Sequence, residues 1–139
     1  MRALAKAILT IFHIGIVGSL LGAGAQAQNV KNVRTIALKS GETDQLTDLY
    51  FVSNCKSILK SAPEVEILDG PPGVTVSVKE DMVLPRTQNC ARPVKGGRLV
   101  ITAGDIEEPS FGELTVRIIF HTRDGDRKNS VVYNISLFP

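Results

Sequence analysis

Pro63-Glu64-Val65-Glu66-Ile67-Leu68, then Gly70-Pro71-Pro72-Gly73, then Val74-Thr75-Val76-Ser77-Val78: this stretch, enclosed by Cys55 and Cys90, decides the fold. Apolar and polar residues alternate on both sides of the turn, with the period of two expected of half-buried strands. The prolines fix φ and the glycines permit positive φ, so the chain must reverse between the two segments. Cys55 and Cys90 are the only cysteines. In an exported chain two cysteines predict one disulfide, here closing a loop of about 36 residues. The stretch therefore reads as a pair of strands stapled by a disulfide, with the other strands packed around it. A redox pair would call for Cys-x-x-Cys spacing, which is absent.

Upstream, Arg34 to Lys39 alternates with Ile36 and Leu38 on one face and predicts a first strand. Ser40 to Asp44 is a turn cluster. Leu46 to Ser53 predicts a strand apolar on both faces, leading to Cys55 near a strand end in the interior. Lys56 to Ala62 is either one helical turn or an irregular crossing, and Pro63 ends it. Downstream, Met82-Val83-Leu84-Pro85 predicts an edge strand or a plug over the core. Arg86 to Gly97 reads as a long loop that Cys90 pins back onto the domain. Arg98 to Ala103 is a strand, and Gly104 to Ser110 an acidic connection.

The last two segments predict a hairpin. Leu114, Val116, Ile118 and Phe120 share one face of its first arm, and Val131, Tyr133, Ile135 and Leu137 one face of its second. A glycine-first turn at Gly125-Asp126 pairs Phe120 with Val131, Ile118 with Tyr133, Val116 with Ile135 and Leu114 with Leu137. About seven strands and no long amphipathic helix predict an all-β fold, a single antiparallel β-sandwich of immunoglobulin-like architecture with the disulfide Cys55–Cys90. A closed barrel is the alternative. The absence of tryptophan argues against an antibody-type core.

The start of the chain predicts an export signal over residues 1–27. Arg2 and Lys6 are followed by a mostly apolar run from Ala7 to Leu21 and by Ala25-Gln26-Ala27, a small-x-small cleavage site. The run is shorter than the ~20 residues a membrane span needs. One β-sandwich domain then occupies residues 28–139. Cleavage takes Arg2 and Lys6 with it, leaving 14 Lys and Arg against 14 Asp and Glu. A net charge of zero removes the electrostatic ground for a nucleic-acid partner. The protein is expected in the periplasm or secreted, not embedded in a membrane once cleaved.

Gly70-Pro71-Pro72-Gly73-Val74-Thr75-Val76 resembles the proline-glycine turn before a strand in bacterial immunoglobulin-like adhesive and cell-envelope domains. The whole mature stretch resembles small exported proteins of Gram-negative bacteria of unassigned function. This likeness implies a sandwich and a periplasmic home, and it carries no catalytic residue.

Residues with chemistry are few. His121, the one histidine to survive export, falls by parity on the outward hairpin face with Arg117 and Arg123. It lacks an adjacent nucleophile motif, and a solvated strand histidine is the expected reading. Arg117, Arg123 and Lys128 could form a basic stripe, most simply one that guards an exposed sheet. Ile119 and Val132 lie among these charges and suggest that part of the outer sheet is covered. Arg117, Ile119, His121, Arg123 and Val132 are thus the expected interaction surface. Asp105, Glu107 and Glu108, and Asp124 and Asp126, match no calcium-loop pattern and read as solvated acids. No catalytic, cofactor-binding or metal-binding set is expected. A non-enzymatic module engaging an unknown envelope or extracellular protein is the reading that follows. Its alternative is a small inhibitor or stress-protective protein acting through the Arg86–Gly97 loop.

Overall fold

The computed structural model describes residues 34–139, so the expected export signal and the first residues after it lie outside the described residues. Nine strands follow in order: β1 Thr35–Lys39, β2 Thr43–Leu49, β3 Val52–Ser53, β4 Lys56–Ser57, β5 Glu64–Asp69, β6 Val74–Val83, β7 Val94–Ala103, β8 Ser110–Thr122 and β9 Gly125–Phe138. The front sheet has the order β1-β9-β8-β5 and the back sheet β2-β7-β6, with β3 and β4 forming a separate short hairpin.

Without that hairpin, the seven remaining strands divide as in immunoglobulin domains. The B, E and D equivalents form the back sheet, and C, F and G the front. The first strand runs parallel to the last, pairing Thr35 with Asn134 through to Lys39 with Phe138; the other ladders are antiparallel. The fold is an immunoglobulin-like antiparallel sandwich, as the alternation predicts.

Strand alternation builds the core. Leu114, Val116, Ile118 and Phe120 of β8, Tyr133, Ile135 and Leu137 of β9, and Ile36 and Leu38 of β1 pack toward Leu46 and Leu49 of β2 and Leu99, Ile101 and Ala103 of β7. Each fully buried aliphatic side chain contributes roughly 1.5–3 kcal/mol of transfer free energy. Arg34 ties the layers at one side, its guanidinium donating to the carbonyls of Leu46 (2.7 Å) and Gln45 (3.3 Å). Ser40 Oγ accepts the Ile106 N–H at 2.8 Å and seats Ile106 in the core.

Several local expectations are corrected. The segments flanking the Gly70–Gly73 turn do not form a pair: β5 closes the front sheet and β6 the back one. The turn, with Gly73 at φ +89°, carries the chain across the sandwich. The strand expected over Leu46–Ser53 begins at Thr43 and stops at Leu49. Met82 and Val83 extend β6. The loop expected over Arg86–Gly97 is shortened, because Val94 to Gly97 already belong to β7 and pair with β6 and β2. Cys55 is not interior. It is half-buried at the tip of the β3–β4 hairpin.

The β8–β9 register also differs. Phe120 stands opposite Arg127, Val116 opposite Val131 and Leu114 opposite Tyr133. The turn is Arg123-Asp124-Gly125, with positive φ (+105°) at Gly125 alone, so glycine closes the turn instead of opening it. Buried Thr122 fixes this geometry, its hydroxyl donating to the Gly125 carbonyl at 2.6 Å and accepting the Asp124 N–H at 3.2 Å. Ile135 and Leu137, expected opposite Val116 and Leu114, stand opposite Gly112 and Ser110 of β8 and pair on their other side with Ile36 and Leu38 of β1. Phe120 meets Phe51, ring centroids 5.6 Å apart. These contacts replace the apolar pairs that favoured the other register.

Candidate interaction surface

Alternation along β8 places Arg117, Ile119 and His121 together on the outer face of the front sheet, each half-buried. Val132 joins that face from β9, cross-strand from Thr115, whereas Arg123 sits apart in the β8–β9 turn. Neighbouring strands supply acids in register. Arg117 is bonded to Glu66 of β5 at 2.9 Å. His121 Nε2 lies 3.1 Å from Glu64 of β5, and Nδ1 lies 2.8 Å from Asp126 of β9. Ile119 stands between Glu64 and Lys128.

The ladder has a titration signature. The hydrogen bond with Asp126, and then that with Glu64, raises the His121 pKa above its ordinary 6.5. The same bond from His121 holds the Asp126 carboxyl below its ordinary value. His121 is therefore a cross-strand tie rather than a solvated bystander, and of the expected basic stripe of Arg117, Arg123 and Lys128 only Arg117 is paired with a carboxylate, that of Glu66.

Each sheet has two edge strands, β1 and β5 in front and β2 and β6 behind; of these, β5 and β6 carry blunting features. β5 has Glu64, Glu66 and a bulge between Ile67 and Asp69, and β6 has Lys79, Glu80 and Asp81 on its outer half. Charges and bulges of this kind oppose the addition of a further strand.

The other concentration of chemistry lies at one end of the sandwich, where the 50–63 connection, the 84–93 loop and the β8–β9 turn converge. Cys55 and Cys90 form a disulfide there, Cα atoms 5.4 Å apart. The bond is typical of an oxidising compartment, and no described helix is long and apolar enough to cross a membrane. Asn54 and Cys55 at one side, and Gln88 and Asn89 at the other, all have positive φ. The bond therefore joins two tight left-handed turns. The Cys55 N–H donates to Gln88 Oε1 at 3.3 Å, and the Arg86 N–H to the Tyr50 hydroxyl at 3.1 Å.

This braced end presents Lys56, Lys60, Arg92, Lys95 and Arg123, all exposed. None of them makes a salt bridge among the described residues. A mostly apolar cleft of about 570 Å³ lies between 54–57 and 91–95, with Lys56, Arg92 and Lys95 in its walls. A second cleft shares Lys56 and adds Arg123 and Ile58, and a third shares Lys95 and adds Lys60 and Leu59, with Glu80 as its one acid. Arg123 is thus the one residue of the expected surface that belongs to this end. The other four cations form two local pairs, Lys56 with Lys60 and Arg92 with Lys95, which lie far apart in sequence and which only the fold brings together. Their signal was the absence of Asp and Glu from 50–63 and from 82–104.

Among the described residues no three His, Cys, Asp or Glu side chains are arranged to hold a metal ion. The chain matches no protein-family model, no curated protein and no solved structure.

Proposed function

We propose that this protein is a non-enzymatic binding module of the periplasm or the extracellular space, which engages an anionic partner through its disulfide-braced loop end. The observation that carries the reading is the set of five exposed cations without salt bridges at that end. On the outer sheet face, by contrast, Arg117 and His121 already have their carboxylates. Unpaired charge held on a rigid frame steers and orients a partner of opposite sign. The same geometry draws on the alternative reading, since the 84–93 loop supplies Arg92. A binding role, not a catalytic one, is supported by His121, whose two ring nitrogens are both occupied by carboxylates with no nucleophile in the ladder.

The test is retention of the mature protein on a phosphate-bearing matrix. The Lys56→Glu/Lys95→Glu variant should lose its retention. Lys39→Glu/Lys79→Glu, the same change in net charge placed elsewhere, should elute near the parent. Equal loss from both variants would reduce the effect to overall charge and reject the loop end as a site.

A further inference from the structure

We propose that the anionic partner is a lipid bilayer, and that the loop end docks on it with Met82 and Leu84 entering the interface. The proposal rests on the loop-end reading above and adds the class of partner.

The first observation is the polarity of the whole sandwich. Three segments at the loop end, 50–63, 84–95 and 121–128, carry eight Lys and Arg against two Asp, with Glu64, Glu80 and Asp81 on the adjoining stretches of β5 and β6. Three segments at the opposite end, 39–44, 69–73 and 103–113, carry seven Asp and Glu against Lys39 alone. The strands connect these ends directly, since β6, β7, β8 and β9 each run most of the distance between them. Such a molecule has almost no net charge yet a strong end-to-end dipole. An anionic surface attracts one end and repels the other, which sets the docking direction.

The second observation separates a membrane from a soluble polyanion. Met82 is 51% exposed and Leu84 50%, while Val83 between them is buried at 1%. Alternation therefore sends Met82 and Leu84 out on the same side. Met82 stands cross-strand from Lys95, which also lines the apolar cleft beside the disulfide. Large apolar side chains projecting beside unpaired cations are costly in water. They suit the layer where headgroup phosphates give way to acyl chains, with cations at phosphate level and apolar groups below. A soluble polyanion would use the cations and leave Met82 and Leu84 in water. The disulfide and the Tyr50–Arg86 hydrogen bond hold the 84–93 loop in place before contact, which limits the ordering cost on binding.

The experiment is vesicle co-sedimentation of the mature, oxidised protein. One set of vesicles is phosphatidylcholine alone, and the other is equal parts phosphatidylcholine and phosphatidylglycerol. Heparin in solution is the soluble comparison. Binding is expected only to the mixed vesicles, and it should weaken with salt. Leu84→Ser, which removes the apolar side chain without changing charge, should reduce vesicle binding about tenfold, from the lost burial of one leucine, and leave heparin binding unchanged. Lys56→Glu/Lys95→Glu should reduce both by about tenfold or more. Each variant is first shown to keep the parent's circular dichroism and melting temperature. Unchanged vesicle binding by Leu84→Ser, or tighter binding to heparin than to vesicles, would overturn the membrane assignment and leave the loop-end reading standing. Indifference of both ligands to Lys56→Glu/Lys95→Glu would overturn the loop end itself. Pelleting without vesicles would replace the lipid with a second copy, cationic end on acidic end.

Discussion

His121 joins three strands of the front sheet through two carboxylates, and its protonation decides how strongly. Because its pKa is raised in the folded protein, the stability that its charge contributes is complete below its ordinary pKa of 6.5. That contribution is lost as pH rises through the raised value. Asp126 behaves in the opposite sense. Its contribution is complete above its ordinary 3.8 and is lost as pH falls through the lowered value. The two describe one interaction, which is strongest between pH 3.8 and 6.5. The denaturation midpoint should therefore decline as pH rises past neutrality, and His121→Gln should remove that part of the decline. A wild-type midpoint that stays flat from pH 6.5 upward would show that the charge of His121 contributes nothing to folding.

At the scale of the element, β7 illustrates why a stretch that reads as loop becomes strand. Gly96 and Gly97 look like chain breakers in sequence, yet both are buried between neighbours. A Cβ on Gly96 would meet the Leu49 carbonyl oxygen and lie 2.8 Å from Val83 Cγ2, and one on Gly97 would lie 2.5 Å from Val78 Cγ1. The glycines let β2 and β6 close on β7 where the loop end begins. Gly96→Ala should cost about 3 kcal/mol, since a backbone carbonyl cannot yield as a side-chain end can. Gly112→Ala, whose Cβ would meet nothing within 4 Å, should stay within about 0.5 kcal/mol of the parent. Urea titration of both variants checks this, and equal effects would mean that the β7 contact relaxes. The same element shows what sequence could reveal. Alternation marked the buried faces of β1, β6, β8 and β9, and these were legible. The hairpin slide that moves Phe120 from Val131 to Arg127 leaves every side chain on its face, so periodicity could not detect it. What selects the register is the Thr122 hydroxyl in the turn and the pairing of distant β1 with Ile135 and Leu137. The loop-end cations were hidden for a related reason: they come from three connections that become neighbours only when β5 and β6 part into different sheets.

For the whole molecule, that parting gives the disulfide its reach. The loop it closes contains β4, β5 and β6, and so spans the front sheet, the Gly70–Gly73 crossing and the back sheet. Its loss frees about 36 residues in the unfolded chain, worth about 4 kcal/mol in the loop-entropy picture. Against this stands the conformation of Cys55, which holds φ +59° where a side chain is disfavoured. Holding a non-glycine residue there costs about 1 kcal/mol or more, and the strain persists for as long as the β3–β4 turn keeps its shape. The two terms can be separated. Cys55→Ser with Cys90→Ala should lose about 4 kcal/mol. Cys55→Gly with Cys90→Ala should lose about 1 kcal/mol less, because glycine removes the strain along with the bond. Part of this recovery is offset by the greater freedom of glycine in the unfolded chain. Neither variant should respond to reductant, whereas the parent should fall toward the serine variant. Equal stability of the glycine and serine variants would mean that Cys55 leaves the left-handed region once unbonded. In that case the disulfide, and not the hairpin, imposes the shape of the loop end.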